Sequence, residues 1–150
     1  MKSIDNSLLS SLIMLSCITT CVMAGWLTRE QTIHIINNFG DDSVPLIFRC
    51  QSGDDDLGVR SLAKGQEFHF SFESQFFLRT LFFCRFKRGH VFNRSFDLYK
   101  DRLDIHLCKY DDSKYTNYYW QARKDGIFFS CNGVDYHKRC DWDQRIPCSH

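Results

Sequence analysis

Apolar and polar positions alternate along much of this chain, which is the pattern of β-strands with one buried face. In residues 66–73, Phe68, Phe70 and Phe72 alternate with polar side chains, so one face of this strand is aromatic. Residues 80–86 are apolar at nearly every position, which is typical of a strand covered on both faces. Shorter strand-like runs occupy residues 32–37, 44–50, 92–98, 105–107, 118–122 and 127–129.

Turn signals separate these runs. The most specific is Asp125-Gly126, which lies between two apolar runs and predicts a hairpin with a type I′ turn. No segment shows a convincing helical period of apolar residues. The spacing therefore predicts an all-β fold, a small antiparallel β-sandwich of about seven to nine short strands.

The N-terminal segment predicts export. Lys2 precedes an apolar stretch, residues 8–22, and small or modest side chains lead to Ala24. We therefore expect a signal peptide over residues 1–24, cleaved after Ala24. A membrane anchor is the alternative, but the stretch is short and rich in hydroxyl groups, whereas a span needs about 20 apolar residues. Residues 25–150 are then expected to form one secreted, extracellular domain without membrane insertion.

The charge balance narrows the range of partners. The chain has 19 basic and 18 acidic residues, which leaves a net charge of +1. Such a chain has no general electrostatic attraction for nucleic acid or for an anionic membrane. The 14 phenylalanines favour a packed aromatic core over a disordered secreted peptide.

Six cysteines remain once the signal peptide, which contains Cys17 and Cys21, is removed. In an exported protein they are expected to form disulfides, each of which stabilises the fold by about 2–4 kcal/mol. Six cysteines allow 15 pairings, so the sequence leaves the connectivity open. The six are Cys50, Cys84, Cys108, Cys131, Cys140 and Cys148.

Zinc binding is the alternative use of two of these cysteines. His106 precedes Cys108 by two positions, and His137 precedes Cys140 by three. Structural zinc sites usually bring two closely spaced ligand pairs, and this spacing is irregular. Disulfides are therefore favoured, and a local bridge from Cys140 to Cys148 is one of the open pairings.

Two polar loops are the candidate sites for a partner. Residues 51–58 contain Asp54, Asp55 and Asp56, but they lack the alternating ligands and distant Glu of an EF-hand, so solvated turn residues are expected instead of a calcium site. Residues 87–94 are the best candidate for a partner-binding loop. Their candidate residues are Lys87, Arg88, His90 and Arg94.

The basic loop lies among phenylalanines, a combination that can also bind nucleic acid or acidic glycans. The strand alternation already explains the aromatic residues, so nucleic acid is not expected as a partner. Asn93-Arg94-Ser95 is an N-glycosylation sequon, which predicts a surface glycan at Asn93.

The sequence contains no G-x-S-x-G elbow, no H-E-x-x-H and no phosphate-binding glycine loop. We therefore expect no catalytic residues, no metal site and no cofactor, and the protein is not expected to be an enzyme.

Several motifs together resemble the plant self-incompatibility protein S1 family, also called the S-protein homologues. They follow one another in the family's order from His34 to Phe129. These motifs are His34-Ile35-Ile36-Asn37-Asn38, Cys50-Gln51-Ser52, Asp54-Asp55-Asp56-Leu57-Gly58, Gly65-Gln66-Glu67, Ser71-Phe72, Thr80-Leu81-Phe82-Phe83-Cys84-Arg85-Phe86, Phe96-Asp97-Leu98-Tyr99 and Trp120-Gln121-Ala122-Arg123-Lys124-Asp125-Gly126-Ile127-Phe128-Phe129.

The resemblance implies a small secreted β-sandwich with no known catalytic activity. In poppy, members of the family are pistil proteins that arrest incompatible pollen through a pollen surface receptor and calcium signalling. The family typically has four cysteines, the last in Cys-x-Trp, but Tyr118 occupies that position here. Cys50, Cys84 and Cys108 match family positions, and the resemblance leads us to expect that Cys131 replaces the missing partner.

Two functional hypotheses follow. The first is a secreted plant recognition or signalling ligand that binds a cell-surface receptor protein, with pollen–pistil interaction as one setting. The second is a secreted defence protein or hydrolase acting on glycans, RNA or microbial surfaces. The absence of a catalytic motif and the family resemblance both favour the first.

Overall fold

The computed structural model describes residues 10, 11, 13, 14, 28–75, 80–100, 108, 117–143 and 148. These residues form nine strands, within the range that the alternating pattern predicts. In chain order the strands are β1 (Thr28–Asn37), β2 (Leu46–Gln51), β3 (Asp56–Leu62), β4 (Glu67–Gln75), β5 (Leu81–Arg88), β6 (Phe92–Lys100), β7 (Asn117–Arg123), β8 (Gly126–Ser130) and β9 (His137–Cys140).

The strands form two sheets. The first sheet has the order β4-β1-β7-β8-β9, and the second has the order β3-β2-β5-β6. The predicted all-β sandwich is confirmed with one difference, because β1 and β7 are parallel while every other pair is antiparallel. The strand predicted at residues 105–107 lies outside the described residues.

An aromatic core fills the space between the sheets. The alternation in β4 is confirmed, since Phe68, Phe70 and Phe72 pack against the core while Glu67 and His69 are exposed. The ring centroids of Phe72 and Phe82 lie 4.7 Å apart, and the rings are tilted, an arrangement that aromatic pairs favour. The largest fully buried side chains are Tyr99, Phe39, Phe48, Phe86, Phe129, Ile33, Ile35, Leu46, Leu98 and Ile127.

Strand β5 differs from its prediction. Its residues alternate between exposed and buried, so the expectation that both faces are covered is wrong. Leu81 and Phe83 are 39% and 43% exposed. They share the outward side of the strand with Arg85 and Lys87, whose charged ends favour water.

The β7–β8 hairpin is present, but its turn is shifted by one residue from the prediction. Arg123 pairs with Gly126, so Lys124 and Asp125 form the centre of the turn. Gly126, with φ of 144°, begins β8. A Cβ atom at Gly126 would collide with the carbonyl oxygen of Cys140 on the neighbouring strand, so this position requires glycine.

Three disulfides connect the six cysteines of residues 25–150. Cys50 pairs with the directly opposite Cys84 across β2 and β5, inside the second sheet. The other two bridges are Cys108–Cys131 and Cys140–Cys148. The zinc alternative is wrong for Cys108 and Cys140, because both sulfur atoms are bonded to another cysteine.

The position of Cys131 explains how this chain departs from the four-cysteine pattern. Tyr118 is 3% exposed and packs edge-on against Tyr99, so an aromatic side chain fills the place where the resemblance implies a cysteine. Ser130 pairs with Tyr119, which puts Cys131 beside position 118 on the neighbouring strand. The bridge to Cys108 is therefore made from an adjacent position.

The predicted signal peptide lies largely outside the described residues. Four of its residues, Ser10, Ser11, Ile13 and Met14, are described, and they are helical. Across the described part of the chain, no helix is long and apolar enough to cross a membrane. Cleavage after Ala24 stays a prediction.

Candidate functional site: an open sheet face and its turns

The outward side of the second sheet combines exposed apolar and cationic side chains, and we call it the open face. Its apolar members are Ile47, Val59, Leu81 and Phe83, of which Val59 is 68% exposed. The strand register places cations between them, because residues paired across strands project to the same side. The cationic members are Arg49, Arg85 and Lys87.

The charges on the open face are unevenly compensated. Arg49 forms an ion pair with Asp56, and this hydrogen bond together with one from the Gly58 amide lowers the pKa of Asp56 to about 2. Arg85 and Lys87 have no ion-pair partner among the described residues. Asp97 of β6 pairs with Phe83 and lies on the same side, so the face carries three cations and two carboxylates, of which only Arg49 and Asp56 form an ion pair among the described residues.

The β2–β3 turn borders this face and is shorter than the predicted loop 51–58. Its centre is residues 52–55, because β2 continues to Gln51 and β3 begins at Asp56. The Ser52 hydroxyl accepts hydrogen bonds from the backbone amides of Asp54 and Asp55, at 3.3 and 3.0 Å. These bonds fix the turn while both aspartates stay exposed, whereas Asp56 is engaged with Arg49.

A cleft of about 730 Å³ lies between this turn and the facing ends of β4 and β5. Phe72 and Phe82, whose rings are in contact, form an aromatic part of its wall. Asp54, Asp55 and Glu73 also line it and make that wall acidic. An acidic, partly aromatic cleft fits a basic side chain of a partner.

The β5–β6 turn contains the second predicted loop. Gly89 has φ of 58°, a conformation that favours glycine and allows the chain to reverse tightly. His90 and Val91 follow it, and Val91 is 82% exposed. Lys87 and His90 are exposed, so they remain candidates for partner contact.

Arg88 requires a correction, because it is buried and not available to a partner. It is 6% exposed, its guanidinium lies 4.2 Å over the Phe39 ring, and it forms an ion pair with Asp41. Its Nε also donates a hydrogen bond to the Val44 carbonyl at 2.9 Å. The hydrogen bonds from Arg88 and Ser43 lower the pKa of Asp41 to about 2.

Arg94 requires the same correction. Its side chain is 3% exposed and donates hydrogen bonds to the Asp143 carbonyl and, at 3.3 Å, to Cys148 Sγ. Arg94 therefore attaches the C-terminal segment to β6. Sequence position alone grouped both arginines with the loop, but strand alternation turns them away from Lys87, Asn93 and Ser95.

Asn93 of the sequon lies at the margin of the open face. It pairs with Lys87 across β5 and β6, and its Oδ1 accepts a hydrogen bond from Arg85 Nε at 3.4 Å. Asn93 is half-buried, whereas Ser95 is exposed. A glycan on Asn93 would stand next to the two uncompensated cations.

A second cluster, which no sequence motif indicates, lies on the outer side of the first sheet. His34, Glu67 and His69 bring their ligand atoms within 4.8 Å of one another. His34 is 33 positions before Glu67, so no local motif reveals the cluster, and only the β1–β4 pairing brings these residues together.

Comparison with known proteins agrees with this architecture. The family model described as plant self-incompatibility protein S1 matches residues 32–142. S-protein homolog 2 of Arabidopsis thaliana is 39% identical over 102 residues, covering 66% of this chain and 59% of that protein. S-protein homolog 18 of the same plant is 34% identical over 121 residues, covering 81% and 78%.

The match to S-protein homolog 24 of Arabidopsis thaliana is 38% identical over 88 residues and covers 54% of that protein. The matched part of the chain thus spans less than two thirds of the length of S-protein homologues 2 and 24. A solved structure of SPH (Self-Incompatibility Protein Homologue) proteins, described as a widespread family of small, highly stable, secreted proteins from plants, is 24% identical. It has a TM-score of 0.57 and covers 73% of this chain and 91% of its own, which shows the shared fold.

The family model covers most of the described strands, and the relatives are S-protein homologues. This chain therefore belongs to the plant self-incompatibility protein S1 family.

Proposed function

We propose that this protein is a secreted plant recognition ligand that binds a cell-surface receptor protein through the open face and its adjoining turns. The observation that carries the proposal is the exposed Phe83 beside Arg85 and Lys87, which lack ion-pair partners among the described residues. Aromatic and arginine side chains dominate the energy of protein interfaces. A receptor surface with apolar residues inside an acidic rim would complement this arrangement.

The predicted export and the disulfides support the proposal of an extracellular setting. The predicted signal peptide precedes the domain, and three disulfides are typical of proteins from oxidising compartments. The structurally similar SPH proteins are described as secreted. We propose secretion after cleavage at Ala24, and glycosylation of Asn93 during export, which peptide mass spectrometry of the protein from plant culture medium would detect.

A binding role suits the site better than catalysis. The described cleft is lined by carboxylates, hydroxyl groups and aromatic rings, without a histidine to act as a base beside a nucleophile. The histidines of the second cluster lie on the outer side of the first sheet, outside that cleft. We therefore propose a non-enzymatic ligand, with pollen–pistil recognition as one setting in which it acts.

The proposal is tested by binding of labelled protein to plant cells from stigma, leaf and root. We expect saturable binding that excess unlabelled protein competes away and that mild protease treatment of the cells abolishes, since the partner is a protein. Binding that rises linearly without saturation, or that survives protease treatment, would contradict a receptor. Turnover of a glycan or RNA substrate by the purified protein would favour the hydrolase hypothesis instead.

A further inference from the structure

We propose that His34, Glu67 and His69 form a binding site for a divalent transition-metal ion, for which Zn²⁺ is the fitting occupant. The proposal is independent of receptor binding, because the three residues lie on the first sheet and the open face belongs to the second. Two imidazoles and one carboxylate form a ligand set that zinc uses when it keeps a fourth position open.

The strand register creates this set. His34 on β1 is directly opposite His69 on β4, and Glu67 is two positions before His69 on the same side of that strand. The buried neighbours Ile33 and Ile35 turn His34 to the outer side of the sheet. Directly opposite residues and residues two apart on one strand are neighbours on a sheet surface, so three ligands converge without a loop.

The three side chains lie within reach of one small cation, which would replace the hydrogen bond that now joins Glu67 Oε1 to His34 Nδ1 and move these two atoms slightly apart. Glu67 Oε1 lies 2.6 Å from His34 Nδ1 and 4.0 Å from His69 Nδ1. Tetrahedral zinc with bonds of about 2.0–2.1 Å needs ligand atoms roughly 3.4 Å apart. The side chain of His69 is 67% exposed, so its ring is free to rotate toward the other two ligands.

The surroundings of His34 prepare it as a ligand. Its Nε2 lies 3.0 Å from Asn117 Oδ1, an amide oxygen that can accept the Nε2 proton, so that Nδ1 would bind the metal in place of its hydrogen bond to Glu67. The His34 ring also stacks on Tyr119, with ring centres 4.3 Å apart and planes within 15°. Histidine ligands of metals characteristically have such an outer partner that fixes the ring and its tautomer.

The fourth position faces solvent, because Glu67 and His69 are exposed. Water completes the coordination in the isolated protein. The bound ion would connect β1 to β4, which is one of the two edge strands of the first sheet among the described residues. Nitrogen ligands favour zinc and other transition metals over calcium and magnesium, which prefer oxygen.

The test is isothermal titration of ZnCl₂ into protein that carries no histidine tag and was purified from plant culture medium. We expect one ion per chain, and at least tenfold weaker binding in His69→Ala and in Glu67→Gln. His137→Ala, which removes an exposed histidine from β9, is the matched control and should bind as the wild type does. CaCl₂ should give no comparable binding.

Both ligand variants change exposed side chains, so their folding can be checked by thermal unfolding without metal. Replacement of zinc by Co²⁺ provides a second measurement, since tetrahedral Co²⁺ with nitrogen ligands absorbs in the visible range. We expect this absorption in the wild type and in His137→Ala, and its loss in His69→Ala. Absence of zinc binding by the wild type, or equal binding by His69→Ala, would overturn the proposal.

Discussion

Arg49 and Arg85 lie directly opposite each other on the neighbouring antiparallel strands β2 and β5. Like charges in directly opposite positions destabilise a sheet, and the ion pair with Asp56 compensates only Arg49. The protein thus keeps an electrostatically unfavourable pair in the middle of an exposed face. Under the proposed function, an acidic receptor surface would supply the missing charge.

The first prediction concerns the stability cost of this pair. Arg85→Glu places an acidic side chain opposite Arg49, so the free energy of unfolding should rise by about 0.5 kcal/mol. Urea denaturation monitored by tryptophan fluorescence measures the change. Lys64→Glu, at an exposed position of the β3–β4 turn, is the control for altered net charge. A loss of stability in Arg85→Glu beyond that of the control would contradict the prediction.

The second prediction concerns Arg88, whose role is structural. Arg88→Met removes the hydrogen bond to Val44 and the cation–π contact with Phe39, so it should lower the free energy of unfolding by about 2 kcal/mol. Lys87→Met, at the adjacent exposed position, should change stability little. Thermal unfolding of the two variants provides the comparison, and equal melting temperatures would show that burial of Arg88 is unimportant.

The third prediction is a pH dependence that follows from Asp41. The hydrogen bond from Arg88 lowers the pKa of Asp41 to about 2 in the folded protein. A carboxyl group with a lowered pKa stabilises the fold above its unfolded pKa of about 4, and this contribution is lost as the pH falls toward 2. Asp41→Asn should therefore be less stable than the wild type at pH 6, and the difference should disappear near pH 2.

Asp42→Asn is the matched control for this series, because it removes a carboxyl group from the next, exposed position. It should show a smaller difference from the wild type at pH 6. Denaturant midpoints measured at pH 6, 4 and 2 provide the comparison. A difference between Asp41→Asn and the wild type that stays constant across this range would exclude the ion pair as its source.

The fourth prediction ranks two disulfides. Cys50–Cys84 has a sequence separation of 34, whereas Cys140–Cys148 has a separation of 8. From loop-closure entropy, replacing both cysteines of the first bridge by alanine should cost about 4 kcal/mol, and the second about 2.5 kcal/mol. Denaturation of the two double variants tests this order.

Peptide mapping without reduction should also recover Cys108 joined to Cys131, and a free thiol at Cys131 would contradict that bridge.

Much of the fold could be predicted because local patterns determine it. The alternation of Phe68, Phe70 and Phe72 identified β4 and its buried side from one stretch of sequence. The interpretation of β5 was wrong because a run such as Leu81-Phe82-Phe83 is equally compatible with one covered face or two. Only the assembled sheets show that Phe83 faces outward.

The candidate sites were harder to predict, because they depend on the register between distant strands. Arg88 and Arg94 are grouped with Lys87 and His90 in the sequence, yet both are buried by contacts with residues more than 40 positions away. The pairing of His34 with His69 also depends on the register between two distant strands, so no local motif predicts it.

Cell-surface binding isotherms of Phe83→Ser and Lys87→Glu test most directly whether the open face is the recognition surface. Lys87 is exposed and Phe83 is 43% exposed, so both variants should remain folded at the temperature of the binding measurement, which thermal unfolding checks. Val134→Ser and Lys64→Glu, at exposed positions outside the open face, are the matched controls. We expect saturable binding for the wild type and both controls, and at least tenfold weaker binding for the two open-face variants. Unchanged binding of Phe83→Ser and Lys87→Glu would contradict it.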